Sequence, residues 1–190
     1  MKTRRDVFMM EASEIIRHRA VRGFICVVDH KSFEDGCARY PIKPYANSPY
    51  ALAGRTCVAF ANKWRNRIGP SNDLEYIFEQ GGPDVGGLME SISKKPRQLP
   101  LPSFKPSREL NDGLYVRPLV QLQSADFLAY EIRKWHTDRP DLKFPPSKPR
   151  ESLRALLGFP DIDIKLYGKA SIERLGRQIS EYRIQHPKAP

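Results

Sequence analysis

Phe24-Ile-Cys-Val-Val-Asp29 is the stretch that decides the fold class, because it is short, apolar throughout and rich in β-branched residues. Such a run is typical of a strand that is buried on both faces of a sheet. A helix is predicted before it over residues 6–20, and residues 30–49 are predicted to form a loop. A second helix is predicted from Ser48-Pro49, a cap followed by proline at the first helical position, to Ile68.

The rest of the chain continues this alternation of helices and strands. Leu74-Glu-Tyr-Ile-Phe-Glu79 predicts a second strand, which a tight turn joins to a short helix that reaches about Ser93. An extended segment is predicted around residues 114–116, before a strongly apolar helix over residues 121–134. Alternation of this kind predicts an α/β fold in which helices cover a sheet.

Two of these helices have apolar faces that predict how they pack. In the first helix four apolar residues share one face: Phe8, Ala12, Ile15 and Ile16. In the helix over residues 121–134, the small residues Ala125 and Ala129 predict close packing against the sheet. A short helix is also predicted near residues 151–157, and a longer one near residues 170–183.

Length and composition limit the organisation of the chain. We predict an α/β domain over residues 1–136, followed by a proline-rich linker and a C-terminal helical extension over residues 137–190. Because no apolar run approaches the ~20 residues of a membrane span, we expect no association with a membrane. The first residues do not resemble a secretory signal, and the three cysteines form no Cys-x-x-Cys pair, so we expect a cytoplasmic protein.

The charge of the chain is positive and unevenly distributed. The net charge is +10, with +7 on residues 1–70, −2 on residues 71–130 and +5 on residues 131–190. A basic surface attracts phosphate backbones without reading sequence, which makes nucleic acid, DNA or RNA, a candidate partner. The alternative is a basic surface that binds nothing, and the composition does not indicate an oligomeric state.

Acidic residues follow both predicted strands. Glu79 ends the second strand just before Gly81-Gly82, and Asp29 ends the first. In open α/β sheets ligands gather beyond the carboxyl ends of strands, so a carboxylate there can belong to a site. The alternative is that each acid begins a solvated loop.

Asp126 lies early in the helix over residues 121–134, with Gln123 and Tyr130 one turn away on either side. It flanks the small-residue face, and a buried carboxylate would need a cation or a donor. The alternative is an acid that interacts with the helix dipole. Carboxylates that converge from strand ends and a helix would suit Mg²⁺ or Mn²⁺ and the metal-assisted displacement of a phosphodiester.

The stretch Leu122-Gln-Ser-Ala-Asp-Phe-Leu-Ala-Tyr-Glu131 resembles the closing motif of the domain of unknown function 3800 family, mostly bacterial and phage proteins with a ribonuclease-H-like fold. Residues 74–79 resemble the apolar strand of that family, which ends in an acid, and Pro102-Ser-Phe-Lys105 loosely resembles its Phe-x-x-Lys segment. The resemblance covers roughly residues 6–135.

The resemblance implies a three-layer fold, a sheet with flanking helices, and a metal site. Glu79 and Asp126 would be its carboxylates, Gln123 a neighbour that fixes the helix, and Lys105 a contact to phosphate or backbone. The family usually opens with Asp-Glu-Ser on a first strand, and no Asp-Glu-Ser occurs in this sequence. We therefore expect a fold that is truncated at its first strands. The role of the acid in the absent Asp-Glu-Ser motif is not assigned to Asp29.

Three functional hypotheses follow. The first is a metal-dependent nuclease-type domain, active or degenerate, in which Glu79 and Asp126 hold Mg²⁺ or Mn²⁺. The second is a non-catalytic nucleic-acid-binding or interaction module on the same fold, in a phage or mobile-element setting. The third is an α/β domain that binds a small molecule or a protein and is basic for unrelated reasons.

Overall fold

The computed structural model describes residues 3–69, 74–79, 84–93, 103–105, 110–111, 114–115, 120–138, 149–158 and 161–187. Its helices are α1 (Arg4–Arg19), α2 (His30–Arg39), α3 (Pro49–Ile68), α4 (Val85–Ser93), α5 (Val120–Asp138), α6 (Glu151–Leu157) and α7 (Lys169–Gln185). Its strands are β1 (Gly23–Val28), β2 (Ile77–Glu79), β3 (Ser103–Lys105), β4 (Leu110–Asn111), β5 (Leu114–Tyr115) and β6 (Ile162–Tyr167). This mixture of helices and short, partly parallel sheets is compatible with the predicted α/β class.

The chain divides into two compact units, each built from two separate stretches. Unit 1 comprises Met1–Gly23 and Ser107–Asp163, and unit 2 comprises Phe24–Pro106 and Ile164–Pro190. The predicted boundary at residue 136 falls within α5, so neither predicted part coincides with a unit. None of the helices in the described ranges has the length and apolar character needed to cross a bilayer.

Unit 1 is built around α6, which packs against α1 and against α5. Apolar side chains of α5 and α6 form its buried centre: Ile132, Trp135, Leu153 and Leu156. The unit also contains a short antiparallel ladder in which β4 pairs with β5.

The apolar face predicted for α1 was expected to point inward, and this prediction is wrong. Phe8 and Ile15 are 65% and 63% exposed, whereas Ser13 is fully buried. The hydroxyl of Ser13 donates to the carbonyl of Met9 at 2.7 Å, which satisfies it inside the unit. A serine can therefore take the inward position of a helix whose apolar residues are distributed around its circumference.

Unit 2 contains most of β1 and β6, and the two strands are hydrogen-bonded neighbours. The pairing is parallel, because Gly23 N donates to Asp161 O at one end and Asp29 N donates to Tyr167 O at the other. The strand β6 was not predicted, since residues 137–190 were expected to be only linker and helix. A second pair, β2 with β3, is also parallel.

Helices α2 and α3 illustrate what local sequence signals specify. In α3 the amide of Ala51 donates to the hydroxyl of Ser48 at 3.1 Å, and Gly69 ends the helix with a φ of 125°. The start and the end of α3 therefore confirm the helix predicted from Ser48-Pro49 to Ile68. The loop predicted for residues 30–49 is wrong in its first half, where α2 lies and where Asp29 caps the helix by accepting from Ser32 N at 2.7 Å.

The interior of unit 2 consists of two apolar clusters. One is formed by buried residues of α2, α3, α7 and the segment before α3: Phe33, Ile42, Ala46, Ala51, Leu52 and Ile172. The other joins α3 and α4 to β2: Val58, Tyr76, Leu88 and Ile92. Glycines permit the close approach of α7, since a Cβ on Gly176 would lie 2.4 Å from Cγ of Tyr40.

Candidate functional site

The parallel pair of β2 and β3 brings together two of the four predicted site residues. Its register makes the α-carbons of Glu79 and Lys105 partners, at the last residue of each strand. An acid and a lysine therefore occupy neighbouring positions at the carboxyl ends of two parallel strands, where α/β sheets form their sites.

Aromatic and polar contacts hold this pair of strands in register. The rings of Phe78 and Phe104, also partners, lie 5.8 Å apart, and Ser103 N donates to Tyr76 O at 2.8 Å. The hydroxyl of Ser103 donates to Glu75 Oε1 at 3.0 Å. Glu79 is half-buried, so its carboxylate lies at the boundary between the protein and the solvent.

The other two predicted site residues lie on α5 in unit 1. Asp126 and Gln123 are exposed and three residues apart, so they lie on one face of the helix. Glu79 belongs to unit 2, and the prediction that Glu79 and Asp126 share a metal ion stays a prediction. Among the residues that the structure describes, no group of three or more His, Cys, Asp and Glu side chains could hold a metal ion.

The predicted packing face of α5 is wrong. Ala125 and Ala129 are exposed, so these small residues do not pack closely against a sheet. The inward side instead includes Glu131, whose side chain is fully buried. Nothing in the sequence pattern distinguished this acid from Asp126, because both lie among apolar residues of the same helix.

The buried carboxylate of Glu131 has a partner for each oxygen. Arg150 Nη2 donates to Oε1 at 2.9 Å, and Ser152 Oγ donates to Oε2 at 3.0 Å. The side chain of Arg150 is 46% exposed, so the ion pair connects the interior to solvent. Burial lowers the pKa of Arg150, but the Glu131 carboxylate more than offsets this, and the net pKa is raised.

A cavity of about 300 Å³ lies beside this ion pair, and we call it the unit 1 cavity. Its lining comes from the start of α1, from α5 and from the start of α6: Arg5, Asp6, Met9, Met10, Glu131, Arg150, Glu151 and Ser152. Sequence reasoning missed it because its members lie on three separate segments of the chain.

A buried arginine serves a structural purpose in unit 2. Arg55 is 6% exposed, and its Nη1 donates to the carbonyls of Tyr45 at 2.6 Å and Ser91 at 2.9 Å. The guanidinium carbon lies 3.6 Å from the centre of the Tyr45 ring. Burial lowers the pKa of Arg55, and these contacts join α3 to α4 and to the segment before α3.

Two cysteines in unit 2, Cys26 and Cys57, are partly buried. Burial raises the pKa of Cys26 to about 11 and the pKa of Cys57 to about 12. Both side chains are therefore protonated thiols at neutral pH, and neither is a ready nucleophile or a ready thiolate ligand.

Comparison of the chain with protein-family models, with curated proteins and with solved structures gave no match. The candidate sites are therefore assessed by their geometry and chemistry alone.

Proposed function

We propose that the protein is a metal-dependent nuclease with a ribonuclease-H-like sheet, and that Glu79 and Lys105 belong to its site. The register of β2 and β3 supports the proposal most, because it makes these two residues partners at the carboxyl ends of parallel strands. An acid and a lysine at partner positions would meet two needs of phosphodiester hydrolysis, a hard oxygen ligand for the metal and an attraction for phosphate.

The carboxylate of Glu79 suits Mg²⁺ or Mn²⁺, which prefer oxygen ligands. Mg²⁺ commonly binds through only one or two carboxylates and completes its shell with water and substrate phosphate, so a small protein ligand set is sufficient. When bound, the metal would polarise the phosphodiester and lower the pKa of a bound water. Lys105 would attract the phosphate as a point charge.

The experiment is cleavage of labelled single- and double-stranded DNA and RNA in Mg²⁺ or Mn²⁺, with Glu79→Gln and the matched control Glu75→Gln. Both substitutions remove one negative charge from the same segment. Because even the outer partners of metal ligands contribute 10–100-fold, we expect Glu79→Gln to lower the rate by about 100-fold or more. Equal rates in the two variants would contradict the proposal.

Asp126 is tested in the same assay through Asp126→Asn, since it is the second acid that the family resemblance implies. A large loss of rate would add it to the mechanism. A rate equal to that of the wild-type protein would remove Asp126 from it and leave the role of Glu79 in place.

A second candidate, nucleic-acid binding without hydrolysis, is favoured by the net charge of +10 and by exposed cations on α7. Arg174 and Arg177 are exposed, and neither makes an ion pair within the part of the chain that the structure describes. This candidate predicts salt-dependent binding of oligonucleotides that Glu79→Gln leaves unchanged, with no cleavage by the wild-type protein. Failure to bind DNA or RNA at any salt concentration would leave the third hypothesis, an α/β domain with an unrelated ligand.

A further inference from the structure

The strand β6 is paired along one of its two edges. Within the described residues its sheet has two strands, and β1 is its hydrogen-bonded neighbour. Gly23 N donates to Asp161 O at 3.1 Å, and Asp29 N donates to Tyr167 O at 3.0 Å. Because main-chain groups alternate in direction along a strand, the odd-numbered residues of β6 face β1. The even-numbered residues therefore turn their N–H and C=O groups to the outer edge: Ile162, Ile164 and Leu166.

The two outer edges of this sheet differ. On the side of β1, the thiol of Cys57 on α3 donates to Phe24 O at 3.8 Å, so α3 engages an outward carbonyl. On the side of β6, the part of the chain that the structure describes holds no hydrogen bond to the outward groups of Ile162, Ile164 and Leu166. The strand has six residues and contains no proline, so its outer edge can accept a further strand.

The side chains between these outward groups carry opposite charges. Arg22 pairs with Asp161 and with Asp163, each at 3.0 Å, so one guanidinium charge faces two carboxylates. Lys165 Nζ lies 5.1 Å from the centre of the Tyr167 ring and has no carboxylate partner within the described ranges. An excess negative charge at Asp163 and a positive charge on Lys165 are therefore two residues apart on one face of the strand.

We propose that β6 pairs antiparallel with β6 of a second copy of this chain, around a twofold axis at Ile164. In this register Ile164 lies opposite Ile164 of the second copy, and Ile162 lies opposite its Leu166, so the outward main-chain groups meet in hydrogen-bonded pairs. Asp163 then lies opposite Lys165 of the second copy, and Lys165 lies opposite its Asp163. These are non-hydrogen-bonded pairs, in which side chains are closest, and opposite charges there stabilise the pairing.

Charge selects this register over the other symmetric ones. Pairing centred on Asp163 would place two aspartates opposite each other, and pairing centred on Lys165 would place two lysines there. An axis between two residues would set an even-numbered residue opposite an odd-numbered one, so the outward groups would not meet. A lone lysine on an edge strand discourages pairing, but in the register centred on Ile164 this lysine has an acid opposite it. A second copy is therefore the occupant that the charges of β6 fit.

The first test is sedimentation velocity of the full chain over a range of concentrations, with Lys165→Asp and the matched control Lys169→Asp. Both substitutions make the same change of charge, but Lys169 is exposed on α7, outside the strand. We expect a wild-type dimer that Lys165→Asp weakens by at least about tenfold, because both charge pairs become repulsive. Lys169→Asp should stay within about twofold of the wild type. Equal weakening by the two variants would overturn the proposal, and a wild-type monomer would do so too, leaving the edge to a strand of another protein.

An exchange of charges tests the register itself. Asp163→Lys sets two lysines opposite each other and Lys165→Asp sets two aspartates there, so each variant alone should dimerise weakly. Mixed together, the two variants should form a heterodimer at least about tenfold tighter than either homodimer, since every pair then joins opposite charges. Recovery in the mixture also shows that both variants are folded. A mixture of folded variants that associates no more tightly than its parts would contradict the register.

Hydrogen exchange locates the paired edge. In the wild-type dimer we expect the amides of Ile162, Ile164 and Leu166 to exchange at least about tenfold more slowly than in Lys165→Asp. A dimer that leaves these amides as fast as in the variant would place the interface elsewhere and overturn the proposal. The proposal rests on β6, so its failure would leave the role of Glu79 untouched.

Discussion

The two units differ in what fills their interiors. In unit 2 the buried residues form two continuous apolar clusters, and glycines such as Gly176 bring the helices close together. Both units also bury polar side chains, but the buried charges are held differently: Arg55 of unit 2 donates to main-chain carbonyls, whereas Glu131 of unit 1 forms an ion pair with Arg150. The difference teaches that the buried charge of unit 1 depends on a partner charge, whereas that of unit 2 is held by main-chain carbonyls and the Tyr45 ring.

This contrast determines which conditions should affect each unit. A half-exposed ion pair is screened by salt, whereas apolar burial is not subject to charge screening.

The largest expected effect is on packing in unit 2. Leu52 is fully buried in α3, so Leu52→Ala should lower the free energy of unfolding by about 4 kcal/mol. The matched control is Ile68→Ala at the end of the same helix, where the side chain is 48% exposed and the loss should stay below about 1 kcal/mol. Urea denaturation followed by circular dichroism measures both, and equal losses would show that the α3 interior is not close-packed.

The next effect concerns the ion pair of unit 1. Arg150→Ala leaves the buried charge of Glu131 without its cation, which should cost about 3 kcal/mol. Arg154→Ala, the control on α6, removes an arginine whose side chain is 70% exposed and should cost less than about 0.5 kcal/mol. The fluorescence of Trp135 in a Trp64→Phe background reports the unfolding of unit 1.

A double variant sharpens this test. Glu131→Gln combined with Arg150→Ala removes the unpaired charge, so it should be more stable than Arg150→Ala alone. A double variant that is less stable than either single variant would mean that the two side chains act independently.

The thiols of Cys26 and Cys57 in unit 2 should react slowly with alkylating reagents. Because burial raises the pKa of Cys26 to about 11 from 9.0, its thiolate fraction at pH 8 should be about 100-fold below that of the unfolded chain. The rate of alkylation by iodoacetamide, resolved by mass spectrometry, should rise about tenfold per pH unit until pH approaches 11. Alkylation as fast as in urea would contradict a raised pKa for Cys26.

The raised pKa values of Cys26 and Cys57 also make the stability of the fold depend on pH. The folded state holds the thiol protons more tightly, so its stability is fully present below the unfolded pKa of 9.0 and falls as pH rises above it. Replacing Cys26 by alanine should make this alkaline loss less steep.

The smallest expected effect comes from the approach of α7. Gly176→Ala places a methyl group 2.4 Å from the Tyr40 ring and should destabilise unit 2 by about 2 kcal/mol. Gly168→Ala is the control, because a Cβ there meets nothing within 4 Å and the change should be within about 0.5 kcal/mol. Equal melting temperatures for the two variants would contradict the close contact between Gly176 and the Tyr40 ring.

Sequence reasoning located the elements whose ends carry strong local signals. The bounds of α3 follow from Ser48-Pro49 and Gly69, which act through backbone geometry and a side-chain cap. The helix α2 was missed because its residues are polar and its cap, Asp29, was considered only as a candidate ligand or the start of a loop. The strand β6 was missed because its pairing with β1 joins residues far apart in the chain.

The candidate sites, too, depend on contacts between residues that are far apart in the chain. The neighbouring positions of Glu79 and Lys105 depend on strand register, which the sequence of either strand alone does not specify. The burial of Glu131 depends on Arg150 and Ser152, which lie some twenty residues away on another helix segment. A helical period marks which residues share a face, but not which face turns inward.

The most direct test of the central claim is whether a metal ion binds at Glu79. Mn²⁺ broadens nearby nuclear magnetic resonances, so titrating it into ¹⁵N-labelled protein locates the ion without requiring turnover. We predict that the amide signals of Phe78 and Glu79 broaden first in the wild-type protein and in Glu75→Gln, and that Glu79→Gln abolishes this broadening. Broadening that is unchanged in Glu79→Gln, or that is confined to other parts of the chain, would contradict the account.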